Sequence, residues 1–129
     1  MRARDRESPP GEGAAFGLAH GLVGIGDTLA RRIERLASLD EGVFVWTRDA
    51  DGWFHLGRVC GPYRFDDSEA ARAVGIVHVR PARWLDAPVD PDAVPTAVID
   101  TFARGGRNLQ RIHGGSVEAL TLAVWTRTG

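Results

Sequence analysis

The sequence predicts an α+β fold: a small, partly open β-barrel of about five to six mixed strands, flanked by two to three helices. Three observations predict it. Apolar runs are short, Asp-Gly and Gly-Pro pairs separate them, and only a few segments have the 3.6-residue spacing of a helix. A chain of 129 residues is long enough for one domain with one hydrophobic core.

The N-terminal third contains a tail, a strand and a helix. Residues 1–13 are polar and proline-containing, which predicts a disordered tail. Residues 14–20 (AAFGLAH) are short and apolar, and we expect a first strand there. In "DTLARRIERLASL", Leu29, Ile33 and Leu36 recur at i, i+4 and i+7 after an aspartate suited to an N-cap, which predicts an amphipathic helix.

The middle of the chain predicts a β-hairpin. Residues 42–48 (GVFVWTR) and 53–60 (WFHLGRVC) flank "DADG", and Asp-Gly tolerates the positive φ of a tight hairpin turn. Both faces of these strands carry apolar residues, so we expect a central hairpin. Gly61 and Pro62 then interrupt the run, which predicts a bend at a barrel corner.

The next elements are less regular. Residues 66–75 (DDSEAARAVG) predict an exposed excursion with a helical turn. Residues 76–85 (IVHVRPARWL) predict a strand, but Pro81 cannot donate to a ladder and therefore indicates an edge, a bulge or a crossover.

Two helices and a last strand complete the prediction. Residues 95–103 predict a short helix with proline at its first position, and residues 107–113 a final strand. Residues 116–126 predict a helix with an apolar face. We therefore expect a barrel domain over 14–113, followed by a segment, 114–129, that packs on the barrel or on a partner.

Composition excludes several kinds of chemistry. The chain has no lysine and sixteen arginines, so it lacks a P-loop lysine, a Schiff-base lysine and the lysine of a PD-(D/E)-x-K nuclease. The net charge of −1 restricts any nucleic-acid contact to a local patch. One cysteine, Cys60, forms no internal disulfide, and no run of about 18 apolar residues occurs. We expect a cytoplasmic protein without a membrane segment.

No enzyme or cofactor motif stands out. The stretch "GLAHGLVGIGD" spaces its last glycines as G-x-x-G-x-G rather than the dinucleotide G-x-G-x-x-G, which favours a tight connector. The four histidines lack H-x-x-x-H spacing, and no G-x-S-x-G elbow occurs. We therefore expect no metal, no cofactor and no catalytic residue.

Aromatic and arginine residues concentrate between positions 44 and 84. The aromatic residues are Phe44, Trp46, Trp53, Phe54, Tyr63, Phe65 and Trp84, and the arginines interleaved with them include Arg48, Arg58, Arg64, Arg80 and Arg83. Rings stack on bases and arginines bind phosphates, although rings on strands also build cores. The tryptophans at 46 and 84 favour a binding role, because each indole N–H needs a partner and each lies beside polar positions.

A second basic segment spans residues 104–113 (RGGRNLQRIH). Its arginines at 104, 107 and 111 could follow a nucleic-acid backbone. The alternative interpretation, equally good, is a solvent-exposed edge strand whose charges prevent it from pairing with another chain.

One family resembles this pattern. "LGRVCGPYRF" and "HVRPARWL", followed by "VPTAVIDTF" and "RNLQRIH", are similar to the EVE/PUA-like (YTH-related) module that accompanies Mrr-like restriction nucleases in bacteria. The resemblance covers about residues 14–113. The sequence departs from the family pattern at Ala82, where valine is usual, at "RNLQRI", and in its extra C-terminal helix.

The resemblance implies a PUA-like barrel that reads DNA or RNA by taking up one flipped base, often a modified one, in an aromatic pocket. It implies bacterial defence or regulation, with a nuclease or ATPase as partner. The expected base-contacting residues are Trp46, Tyr63, Trp84, Phe16 and His78. The expected backbone-contacting residues are Arg48, Arg64, Arg80, Arg104, Arg107 and Arg111. The alternative is a non-catalytic protein-interaction module, or a homodimer formed through residues 116–126.

Overall fold

The computed structural model describes residues 12–25, 30–103 and 115–128 of the chain. Within these ranges the fold is α+β, with five strands in a curled, antiparallel half-barrel and five α-helices around it. The elements are α1 (Glu12–His20), β1 (Leu22–Ile25), α2 (Ala30–Ala37), β2 (Phe44–Arg48), β3 (Phe54–Val59), β4 (Arg64–Phe65), α3 (Glu69–Val74), β5 (His78–Trp84), α4 (Thr96–Ala103) and α5 (Gly115–Thr128). The predicted partly open α+β barrel is confirmed, with more helices than expected and antiparallel pairing throughout the described sheet.

The strand β5 organises the sheet, whose order is β1-β5-β3-β2, with β4 also paired to β5. The pair β1–β5 places Leu22 opposite Pro81, and the pair β3–β5 places Gly57 opposite Trp84. The predicted hairpin is confirmed as β2–β3, in which Trp46 pairs with Leu56.

The Gly61-Pro62 break is a bulge between β3 and β4. Val59 pairs with Ala82 and Arg64 pairs with Val79, so the four residues 60–63 lie opposite only two residues of β5. A Cβ on Gly61 would lie 2.7 Å from the ring of Pro81. The carbonyl of Pro81 accepts the N–H of Cys60, so it points toward the bulge. In an antiparallel strand the N–H of a residue points to the same side as its carbonyl. The N–H that proline lacks would therefore have pointed into the bulge, where the ladder is already interrupted. Of the three alternatives at Pro81, the bulge is the one found.

Two predictions near the N-terminus are wrong. Residues 14–20 lie in a helix, α1, rather than in a strand, because an alanine-rich run favours helix and its buried Ala14 and Phe16 pack into the core. The first strand is instead Leu22–Ile25, fully buried, inside the glycine stretch that we expected to be a connector.

The hydrophobic core has one cluster on each face of the sheet. One cluster joins α1, α2 and α3 to β1, with Val45 and Val59 contributed by the hairpin. The other joins α4 and α5 to Trp46 and Leu56 on the opposite hairpin face. Because β-strand side chains alternate, each hairpin strand supplies both clusters. The hairpin is not central as predicted: β3 lies between β5 and β2, but β2 ends the order of the described strands.

The remaining elements agree with their predictions in part. The excursion at 66–75 contains α3, and residues 95–103 contain α4. The residues of the predicted strand at 107–113 and most of the predicted tail lie outside the described residues. None of the helices in the described ranges is long and apolar enough to cross a membrane.

Candidate functional site

Two of the five rings expected to contact a base lie in the core. Trp46 is 2% exposed, and its indole Nε1 donates to the hydroxyl of Thr121 on α5 at 3.4 Å. Phe16 is also buried and packs against His20, with 4.6 Å between the ring centroids. Burial gives both rings a packing role, and the indole N–H of Trp46 finds its partner inside the protein.

Trp84 links three strands. Its ring crosses Gly57 so closely that a Cβ there would lie 2.5 Å from Cε3. Its Nε1 donates to the carbonyl of Leu22 on β1 at 2.9 Å. The half-buried indole therefore fastens β1, β5 and β3 together, and its one donor is already used.

Arg80 is a buried anchor. Its side chain is 3% exposed; Nε donates to the carbonyl of Gly61, and Nη1 donates to the carbonyls of Leu36, Ala37 and Leu39. Those last three acceptors lie at the C-terminal end of α2, where carbonyls lack helical partners and a positive charge is favourable. This guanidinium is inaccessible to a phosphate, so Arg80 acts on the fold and not as the predicted backbone contact.

Tyr63, Phe65 and His78 form a partly exposed ring cluster beside the bulge. The hydroxyl of Tyr63 lies 2.8 Å from Nδ1 of His78, and the two rings are nearly parallel, at 16°. Phe65 meets His78 edge-on, with centroids 5.5 Å apart, and is 55% exposed. The bulge delivers Tyr63 to this cluster because it shifts the chain by two residues relative to β5.

Two charged residues, Arg64 and Asp66, stand on either side of Phe65 in the chain. Arg64 is exposed, and its Nη2 lies 3.8 Å from the carboxylate of Asp66. Hydrogen bonds from the N–H and the hydroxyl of Ser68 hold the pKa of Asp66 below its ordinary value. Partial desolvation raises this pKa, but the charges of Arg64 and His20 also lower it, and the net shift is downward. Arg64 directly precedes Phe65 on β4, and because successive side chains of a strand point to opposite faces, the two side chains leave the strand on opposite sides.

The other predicted arginines are dispersed. Arg48 is half-buried, with its guanidinium 5.9 Å from the ring of Phe102 on α4. The arginines at 104, 107 and 111 lie outside the described residues.

A groove of about 590 Å³ opens between β2 and α5. Phe44, Trp46 and Arg58 line the sheet side, and Leu122 is among the residues on the helix side. Arg58 and Arg83 both lie over the ring of Trp125 on α5, a convergence that was not predicted from the sequence. Only the β3–β5 register, in which these arginines are directly opposite, could have indicated it.

The turn of the β2–β3 hairpin holds a carboxylate–histidine pair. Oδ2 of Asp49 lies 2.7 Å from Nε2 of His55, and Oδ1 accepts the N–H groups of Asp51 and Trp53. Partial burial raises the pKa of Asp49, but the bonds from His55, Trp53 and Asp51 together outweigh it, and the pKa lies below its ordinary value. The pair holds the turn in place.

Among the described residues, no three His, Cys, Asp or Glu side chains are grouped to hold a metal ion. No family model, no curated protein and no solved structure matches this chain.

Proposed function

We propose that this protein is a nucleic-acid-binding module that contacts an unpaired base through the ring cluster of Tyr63, Phe65 and His78. The observation that carries the proposal is the exposed ring of Phe65, braced edge-on by His78, with the exposed Arg64 next to it along β4. Exposed aromatic rings bind bases by stacking, and a neighbouring arginine holds the adjoining phosphate.

The target that fits the resemblance is a base flipped out of DNA or RNA, with a modified base as the selective case. Extruding a base costs a few kcal/mol, and stacking on one aromatic side chain returns about 1–3 kcal/mol. A mismatched, damaged or already single-stranded base costs least to extrude, whereas selectivity for a modified base would depend on contacts with the modification. In this proposal the module has no catalytic residue, and a nuclease or ATPase partner acts on what it reads, in bacterial defence or regulation.

The test is a fluorescence-anisotropy titration at low salt with short single-stranded and double-stranded oligonucleotides, each with and without a methylated base. The wild type should bind, and Phe65→Ala should weaken binding about tenfold or more through lost stacking. Trp53→Ala is the matched control, because Trp53 is another exposed ring (48%) that lies outside the cluster, just before β3. Absence of binding to every oligonucleotide, or equal losses in both variants, would contradict the proposal.

A second candidate function is protein interaction through α5. Leu120 and Leu122 are 55% and 49% exposed on this helix, one on each side of the face that packs on the sheet through Thr121 and Val124. An apolar contact is insensitive to salt, whereas phosphate contacts weaken steeply as salt rises. A homodimer in sedimentation analysis that survives added salt and is lost in Leu122→Glu would favour this candidate.

A further inference from the structure

Two arginines face each other across neighbouring strands. Arg58 on β3 and Arg83 on β5 are direct cross-strand partners. Such side chains start about 5 Å apart on one face of a sheet, and like charges in these positions repel. In the part of the chain that the structure describes, neither guanidinium lies within ion-pair distance of a carboxylate.

The guanidinium groups of Arg58 and Arg83 both lie against the ring of Trp125. The Cζ atoms of Arg58 and Arg83 lie 5.9 Å and 5.8 Å from the centroid of Trp125. Arg58 also lies 4.6 Å from the centroid of Phe44, and its Nε donates to the carbonyl of Gly42 at 2.8 Å. These contacts fix the stem of Arg58, and within the described ranges the terminal nitrogens of both arginines have no hydrogen-bond acceptor.

We propose that Arg58 and Arg83 together bind one phosphate group at the mouth of the groove between β2 and α5. A phosphate offers several oxygens to two planar guanidinium forks at once, and its charge removes the repulsion between the arginines. The phosphate would come either from a small phosphate ester or from a nucleic-acid backbone. This site goes beyond the ring cluster, because Arg83 and His78 lie five residues apart along β5.

Two acidic residues limit where the phosphate can bind. Glu41 and Glu118 also line the groove, and both are exposed. Their charges disfavour an anion inside the groove, so the phosphate lies on the side of Arg83 and Trp125. Glu118→Gln should therefore bind phosphate more tightly than the wild type.

The experiment is calorimetric titration of the full chain with inorganic phosphate, a mononucleoside monophosphate and a single-stranded oligonucleotide, at low salt. Arg83→Gln is the informative variant, because Arg83 is exposed and its guanidinium lies over Trp125. It should bind phosphate at least about tenfold more weakly, since a charge-assisted bond is lost. Arg31→Gln, an exposed arginine on α2, is the matched control and should bind like the wild type.

The three ligands separate the two sources of phosphate. Tighter binding of the mononucleotide than of the oligonucleotide, lost in Arg83→Gln, supports a small phosphate ester. Tighter binding of the oligonucleotide, weakened by the same variant, supports a nucleic-acid backbone. Phe65→Ala should leave inorganic phosphate binding intact, so failure of the ring cluster and failure of this site are distinguishable.

Either of two results would overturn the proposal. If the wild type binds no phosphate in any form, and Arg83→Gln only lowers the unfolding temperature, the two arginines are a clamp that holds α5 against the sheet. Equal phosphate affinity of the wild type and Arg83→Gln would overturn it as well.

Discussion

At the scale of single residues, the polar groups that the sequence marks as candidate contacts are often satisfied inside the fold. The indole N–H of Trp46 and that of Trp84 each need a partner. The partners are Thr121 and the carbonyl of Leu22. Sequence position alone could not distinguish an internal acceptor from a ligand, because both acceptors come from elements remote along the chain.

Arg80 gives the strongest prediction at this scale. Arg80→Met should lower the free energy of unfolding by about 3 kcal/mol or more, because several buried carbonyls lose a charged donor. Urea denaturation measures the change. Arg31→Met, on the exposed face of α2, should change it by less than about 0.5 kcal/mol. If the two variants prove equally stable, the anchoring role of Arg80 is refuted.

At the scale of elements, local signals predicted those elements that local interactions determine. The "DADG" turn set the β2–β3 hairpin, and the i, i+4, i+7 spacing set α2. Residues 14–20 were wrong because a short apolar run is compatible with either a strand or a helix. The strand Leu22–Ile25 was missed because its pairing with β5 is determined some 55 residues later in the chain.

The hairpin turn should make stability depend on pH. The pKa of Asp49 in the folded protein lies below its ordinary value of 3.8. Its contribution is therefore complete well above pH 3.8 and disappears as pH falls through the folded pKa. Asp49→Asn should cost about 1 kcal/mol at pH 7, where His55 and two N–H groups lose a charged acceptor.

Urea unfolding at pH 7 and at stepwise lower pH tests this expectation. The difference between the wild type and Asp49→Asn should shrink as pH falls below about 4. Asp51→Asn is the matched control, because Asp51 is exposed in the same turn. A difference that stays constant with pH would mean that the charge of Asp49 does not stabilise the turn.

At the scale of the whole molecule, the sequence predicted the α+β half-barrel but not how its rings divide between core and surface. That division depends on α5, which covers Trp46 and Phe44 of β2, whereas Phe65 of β4, paired with His78 at the start of β5, stays exposed. Docking of α5 on the sheet depends on contacts between residues far apart in the chain, so the spacing of the aromatic residues does not predict it. The candidate base-contacting residues are therefore reduced to the ring cluster. A separate pair, Arg58 and Arg83, is brought together only by the β3–β5 register.

The docking of α5 can be tested at its one buried polar contact among the described residues, between Thr121 and Trp46, which lie 75 positions apart. Thr121→Val keeps the shape of the side chain but leaves the buried indole N–H without an acceptor, so it should lower the free energy of unfolding by about 1–3 kcal/mol. Thr121→Ser restores the hydroxyl and should recover part of that loss. Thr126→Val, on the exposed face of the same helix, should change stability by less than about 0.5 kcal/mol. If Thr121→Val and Thr126→Val unfold at the same urea concentration, packing alone holds α5, and the bond contributes nothing.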